Sequence, residues 1–106
     1  MILVITDVKV KEREPYLSLA KAFAADVSCE KGSQGIEVYV DPKQEDRVVY
    51  VARWEQQGDL EAHLHGTAFQ KHIPGMSRYF VSSAETVLEL AGDVHGDKQE
   101  ERGEGK

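Results

Sequence analysis

His63 is the residue of this chain best placed to do acid–base chemistry. It follows Leu60 by three positions and precedes Leu64, so on a helix it lies at the border of the face turned towards the rest of the fold. A neutral imidazole there can remove a proton from a phenol, or hold the resulting anion, near neutral pH. His63 is therefore the candidate general base, and a surface or helix-capping histidine is the alternative interpretation.

Two further histidines raise the question of a metal site. His63 and His65 stand two positions apart, which on a helix directs them to different sides, so we expect no shared metal ion and a solvent-exposed His65. His72 shares a helix face with Phe69 and is a candidate second histidine of a ligand pocket. A partly buried structural role is the alternative for His72.

Aromatic side chains could form the walls of a pocket for a flat ring. Trp54 ends a strand and carries an indole N–H donor, and Phe69 and Tyr50 add further aromatic surface. Core packing is the alternative for all three residues. Thr6 is the one polar residue on the otherwise apolar face of the first strand, and its hydroxyl could contact a substrate or bond locally to the backbone.

The elements that must position these residues follow the order β-α-β-β-α-β. Alternating apolar residues predict strands at about residues 2–10, 36–41, 48–54 and 81–90, and helical spacing predicts helices from 14 to 27 and from 60 to 73. We expect Asp59 and Thr67 to cap the two parts of the second helical region, Gly66 to interrupt it, and Pro74 to bend or end it. This order predicts an α+β, ferredoxin-like fold with a four-stranded antiparallel sheet and both helices on one face.

The first and third strands begin with apolar residues on both faces, at Ile2–Ile5 and Val48–Val51. Helices can cover only one face of such a sheet. We therefore expect a second copy of the chain to cover the other face in a two-fold homodimer.

Composition bounds the class of protein. The 106 residues suffice for one domain, which we place at residues 1–91, followed by a charged, glycine-rich segment at 92–106. The net charge of −6 offers no basic stripe for nucleic acid. The longest apolar run is too short to cross a membrane and no signal peptide is evident, so we expect a cytoplasmic protein. Cys29 is alone and is interpreted as an ordinary residue at a helix end.

The segment VVYVARWEQQGDLEAHLHGTAFQKHI, taken with the element order, resembles the antibiotic biosynthesis monooxygenase family and its quinol monooxygenase relatives, over residues 1 to about 91. Trp54, His63 and Phe69 fit the family's tryptophan, histidine and phenylalanine positions. Ala52 departs from the family pattern, which usually has glutamate there. The hydrogen bond or charge of that glutamate is expected to be absent.

The resemblance implies a dimeric α+β barrel with a pocket between each subunit's sheet and helices. It also implies oxidation of an electron-rich aromatic substrate by O2 with no metal, flavin or haem as cofactor. Chemistry of this kind needs only a site that binds the ring, favours its anion and shields intermediates from water. The sequence is consistent with this, because it contains no dinucleotide fingerprint, phosphate loop or suitably spaced carboxylate pair.

Two other functions stay open at this stage. Haem-degrading monooxygenases share the fold, and their asparagine, tryptophan and histidine positions correspond here to Thr6, His63 and Ile73, with His72 adjacent to the last. A non-catalytic dimer that binds a small metabolite is the other alternative, because fold alone does not determine function.

Overall fold

A computed structural model of the chain describes residues 1–92. The charged segment set apart above therefore lies, from residue 93 onwards, outside the described residues. The elements are β1 (Ile2–Val10), α1 (Arg13–Val27), β2 (Ser33–Val40), β3 (Arg47–Trp54), α2 (Gln57–Leu64), α3 (Thr67–Ser77) and β4 (Phe80–Glu89). The strands form one antiparallel sheet in the order β2-β3-β1-β4, which confirms the predicted ferredoxin-like α+β fold.

The core lies between one face of the sheet and the helices. Alternate residues of β1 and β3 are buried, as the period of two along a strand requires. Helix α1 contributes a buried stripe at helical spacing. The core residues of these three elements are Ile2, Val4, Val8, Val10, Tyr16, Ala20, Phe23, Val27, Val48, Tyr50, Ala52 and Trp54.

The second helical region differs in detail from the prediction. Helix α2 begins at Gln57, so Asp59 lies in its first turn and is not the cap. Gly66 is the N-cap of α3 in place of Thr67. A Cβ atom at position 66 would come within 3.1 Å of the carbonyl oxygen of Ala62, so the close α2–α3 junction favours glycine there.

Helix α3 continues past Pro74 to Ser77 and does not end at the proline. A proline inside a helix removes one backbone donor and crowds the preceding turn, which is destabilising. The last turn is nevertheless held in place, because Met76 is 1% exposed and packs in the core. Tertiary packing of one side chain thus outweighs the local effect of the proline.

Strand β4 is an edge strand whose residues after Phe80 are all exposed. Its register with β1 pairs Glu85 with Thr6 and Ser83 with Val8. Glu85 and Ser83 therefore lie on the sheet face that the helices cover elsewhere. The helices approach β2 and β3 most closely, and β4 meets α1 at its first residue, where Phe80 packs against Tyr16. Among the described residues, no helix is long and apolar enough to cross a membrane.

Candidate functional site

A cavity of about 190 Å³ lies between the sheet and the helices. Most of its lining is aliphatic or aromatic, and all four strands and all three helices contribute to it. An apolar cavity of roughly 150 Å³ is enough to hold benzene. The volume therefore suits a small aromatic ring. The polar lining residues are Thr6, Tyr16, Tyr50, His63, Ser83 and Glu85.

His63 lies in the cavity wall with its side chain 10% exposed, so it is not the surface histidine of the alternative interpretation. Its ring centroid is 4.9 Å from that of Trp54 at an interplanar angle of 32°, and Phe69 meets it edge-on at 5.6 Å. Such aromatic contacts fix the plane of the imidazole. Within residues 1–92 the Nε2 atom has no hydrogen-bond partner, so it is the ring nitrogen that is free to bond to a ligand.

Glu30 is the hydrogen-bond partner of His63. Its Oε1 lies 2.6 Å from His63 Nδ1, and the two residues are 33 positions apart in the chain. Glu30 belongs to the turn between α1 and β2. This chain has Ala52 where the family usually has a glutamate. A carboxylate nevertheless lies beside His63, and it comes from Glu30 in a different part of the fold.

A pair of tyrosine hydroxyls forms another polar point in the lining. The hydroxyl of Tyr16 on α1 is hydrogen-bonded to that of Tyr50 on β3, and both residues are buried. Burial raises the pKa of Tyr50, as does its hydrogen bond with Tyr16. Burial also raises the pKa of Tyr16, although the bond to Tyr50 partly offsets this. Both hydroxyls are therefore neutral near pH 7.

The tyrosine pair has one hydroxyl hydrogen to spare. Two hydroxyls carry two hydrogens, and the bond between them uses one. Within the part of the chain that the structure describes, neither oxygen has another hydrogen-bond partner. The remaining hydrogen is available to an acceptor oxygen on a ligand, since both residues line the cavity. The place of Tyr16 on the inner face of α1 could have predicted this hydrogen bond, because a buried tyrosine hydroxyl usually has a hydrogen-bond partner.

Thr6 stands between Tyr50 on β3 and Glu85 on β4 in the sheet register, and all three reach the cavity. Glu85 and Ser83 are exposed, so they mark the open end of the cavity along β4. Neither residue was predicted as part of the site, because the alternation along β4 does not show which residues border a cavity.

His72 is the one predicted site residue that the structure leaves outside the cavity lining. Its Nε2 lies 2.6 Å from Oδ2 of Asp26 on α1, and this bond lowers the pKa of the Asp26 carboxyl. The structure thus brings together Thr6, Tyr50, Trp54, His63 and Phe69 but not His72. His65 is exposed, as expected. Among residues 1–92, no three His, Cys, Asp or Glu side chains meet in a metal-binding arrangement.

The sequence profile of the family described as antibiotic biosynthesis monooxygenase matches residues 1–75. No curated protein matches the chain. Similar solved structures include SnoaB, a cofactor-independent oxygenase from Streptomyces nogalater, with 13% identity over 88% of this chain and 95% of that one and a TM-score of 0.79. Rv0793 from Mycobacterium tuberculosis is 16% identical, with 89% of this chain and 98% of that one covered and a TM-score of 0.78. A conserved protein from Methanosarcina mazei Go1 is 19% identical, with 82% of this chain and 89% of that one covered and a TM-score of 0.77. At these identities the structural likeness establishes the fold alone.

Proposed function

The chain belongs to the antibiotic biosynthesis monooxygenase family, and from that premise we propose that it oxidises an electron-rich aromatic compound, such as a quinol or a polyketide-like phenol, with O2 and without metal, flavin or haem. The observation that carries the proposal is the position of His63. His63 lines an apolar cavity that is large enough for an aromatic ring, and its Nε2 has no hydrogen-bond partner among the described residues.

The chemistry begins with a proton transfer that His63 can perform. Nε2 accepts the proton of a substrate hydroxyl, which leaves an electron-rich phenolate and an imidazolium. The phenolate donates an electron to O2, and the resulting radical pair combines to a peroxide at a ring carbon. Loss of water from the peroxide then gives the quinone. One oxygen atom of O2 enters the product, and the other leaves as water with two substrate hydrogens.

The other lining residues suit the binding of such a substrate. Trp54 and Phe69 provide aromatic walls, and the spare hydrogen of the Tyr16–Tyr50 pair can bond to an oxygen of the ring. Thr6 adds a hydroxyl beside Tyr50 in the sheet. The apolar remainder of the lining limits access of water to a reactive peroxide.

SnoaB is described as a cofactor-independent oxygenase, and its shared fold supports the cofactor-free part of the proposal. The haem hypothesis gains no support from His72, whose Nε2 is held by Asp26 outside the cavity lining. A purely metabolite-binding role differs from the proposal in one measurable respect, which is catalytic turnover.

Oxygen consumption tests the proposal. Purified protein, dialysed against a chelator and free of flavin absorbance, is expected to accelerate O2 uptake by members of a panel of hydroquinones, naphthols and polyketide-like phenols. His63→Gln is expected to lower the rate on the order of 10²-fold, because it removes the general base. His65→Gln, at an exposed position two residues away, is expected to leave it unchanged.

Three results would contradict the proposal. Full activity of a folded His63→Gln variant would remove His63 from the mechanism. O2 uptake that appears only after haem or iron is added would favour the haem hypothesis, and ligand binding without any uptake would favour the metabolite-binding one.

We further propose that the active form is a homodimer built on the sheet face opposite the helices. Leu3, Ile5, Val49 and Val51 alternate with the core residues of β1 and β3 and thus share that face. Strand β4 adds Leu88, which is 49% exposed. An apolar surface of this extent is typical of an interface.

A further inference from the structure

We propose that Glu30 is a positioning residue that holds His63 in the tautomer with hydrogen on Nδ1, so that Nε2 meets the cavity as an acceptor. The catalytic consequence rests on the function proposed above, whereas the tautomer does not. Glu30 does not line the cavity and therefore acts only through the histidine.

The contact between the two side chains determines the direction of the hydrogen bond. Glu30 Oε1 lies 2.6 Å from His63 Nδ1, and an ionised carboxylate can only accept. Nδ1 must therefore donate, and a neutral imidazole then carries its lone pair on Nε2. The ring contacts both Trp54 and Phe69, so the imidazole would have to leave both contacts during any rotation that exchanged its two nitrogens.

His63 forms part of two surfaces at once. It lines the apolar cavity, and it also borders a polar surface groove formed with Glu30, Lys31, Gln56, Gly58, Asp59 and Ala62. The Nδ1 side faces this groove, where Glu30 is 22% exposed. When Nε2 takes a proton from the substrate, the positive charge of the imidazolium lies beside the Glu30 carboxylate, and water does not have to enter the cavity to stabilise it.

The backbone around Glu30 prepares this contact before a substrate binds. The Glu30 N–H donates to the carbonyl of Val27 at 3.0 Å, and its own carbonyl accepts from the N–H of Ser33 at 3.1 Å. On the other side, a Cβ atom at Gly66 would lie 3.3 Å from Glu30 Oε2. A larger residue at position 66 would therefore press on the carboxylate, so Gly66 leaves it the space it occupies beside His63.

The tautomer can be measured directly by long-range 1H–15N correlation spectroscopy on ligand-free protein labelled with 15N at histidine, at a pH where the ring is neutral. His63→Gln identifies the signals. The wild type is expected to show the Nδ1–H tautomer at His63. Glu30→Gln is expected to shift the signals towards a mixture of tautomers, because an amide can either donate to Nδ1 or accept from it. Glu61→Gln removes an exposed carboxylate from the same helix as His63 and should change nothing.

Kinetics supply a second readout. Glu30→Gln is expected to lower kcat about 10-fold with little change in KM, as for other groups that orient a functional histidine. An Nε2–H tautomer in the wild type would overturn the inference even if O2 uptake is observed, and so would an Nδ1–H tautomer that persists in a folded Glu30→Ala variant, which has no acceptor at Nδ1. A tautomer fixed by Glu30 in a protein without oxygenase activity would instead refute the proposed function and leave the positioning role intact.

Discussion

At the scale of single residues, the Tyr16–Tyr50 pair makes the stability of the fold depend on pH. Burial raises the pKa of Tyr50, so the folded protein holds this proton more tightly than the unfolded chain, whose tyrosines titrate at about 10. The stabilisation that follows is complete below pH about 10 and is lost as pH rises above that value.

We therefore expect the free energy of unfolding to fall as pH rises from about 10 to about 11, and Tyr50→Phe to reduce this fall, because phenylalanine has no proton to lose. Urea titrations across this range measure the effect. Tyr39→Phe is the matched control, since Tyr39 is 52% exposed. An equal alkaline loss in Tyr50→Phe and wild type would mean that the buried hydroxyl does not couple folding to pH.

The residues of the site differ in how far the sequence could reveal them. Trp54, His63 and Phe69 fall within the continuous segment that resembles the family, and that resemblance predicted them as parts of one site. Glu30 approaches from 33 residues away, and a glutamate in a turn gives no local sign of its partner. His72 was predicted for the pocket because it shares a helix face with Phe69, but its Nε2 is hydrogen-bonded to Asp26 on α1 and it does not line the cavity.

At the scale of elements, the strands were predictable because burial imposes a period of two on β1 and β3. The ends of the helices were less predictable. The α2–α3 junction depends on the close approach of the backbone at Gly66, and the last turn of α3 depends on burial of Met76. Both are tertiary effects that outweigh local preferences. Strand β4 was predicted from its alternating apolar residues, although neither of its faces is buried in the single chain.

At the scale of the whole molecule, the open sheet face and the exposed β4 lead to a prediction about assembly. Sedimentation at micromolar concentration is expected to show a dimer. Val51→Lys, which places a charge among the apolar residues of the open face, is expected to give a monomer, whereas Ala22→Lys on the exposed side of α1 should stay dimeric. A wild-type monomer under these conditions would contradict the proposed interface.

The central claim about the molecule is that its cavity lets O2 react directly with a bound phenol. Mass spectrometry of the product formed under isotopically labelled O2, by protein freed of metal and flavin, tests this most directly. The account predicts a quinone that carries one labelled oxygen atom, formed by the wild type and nearly abolished in His63→Gln. A product that contains only unlabelled oxygen, or labelled product formed equally well by the folded His63→Gln variant, would contradict it.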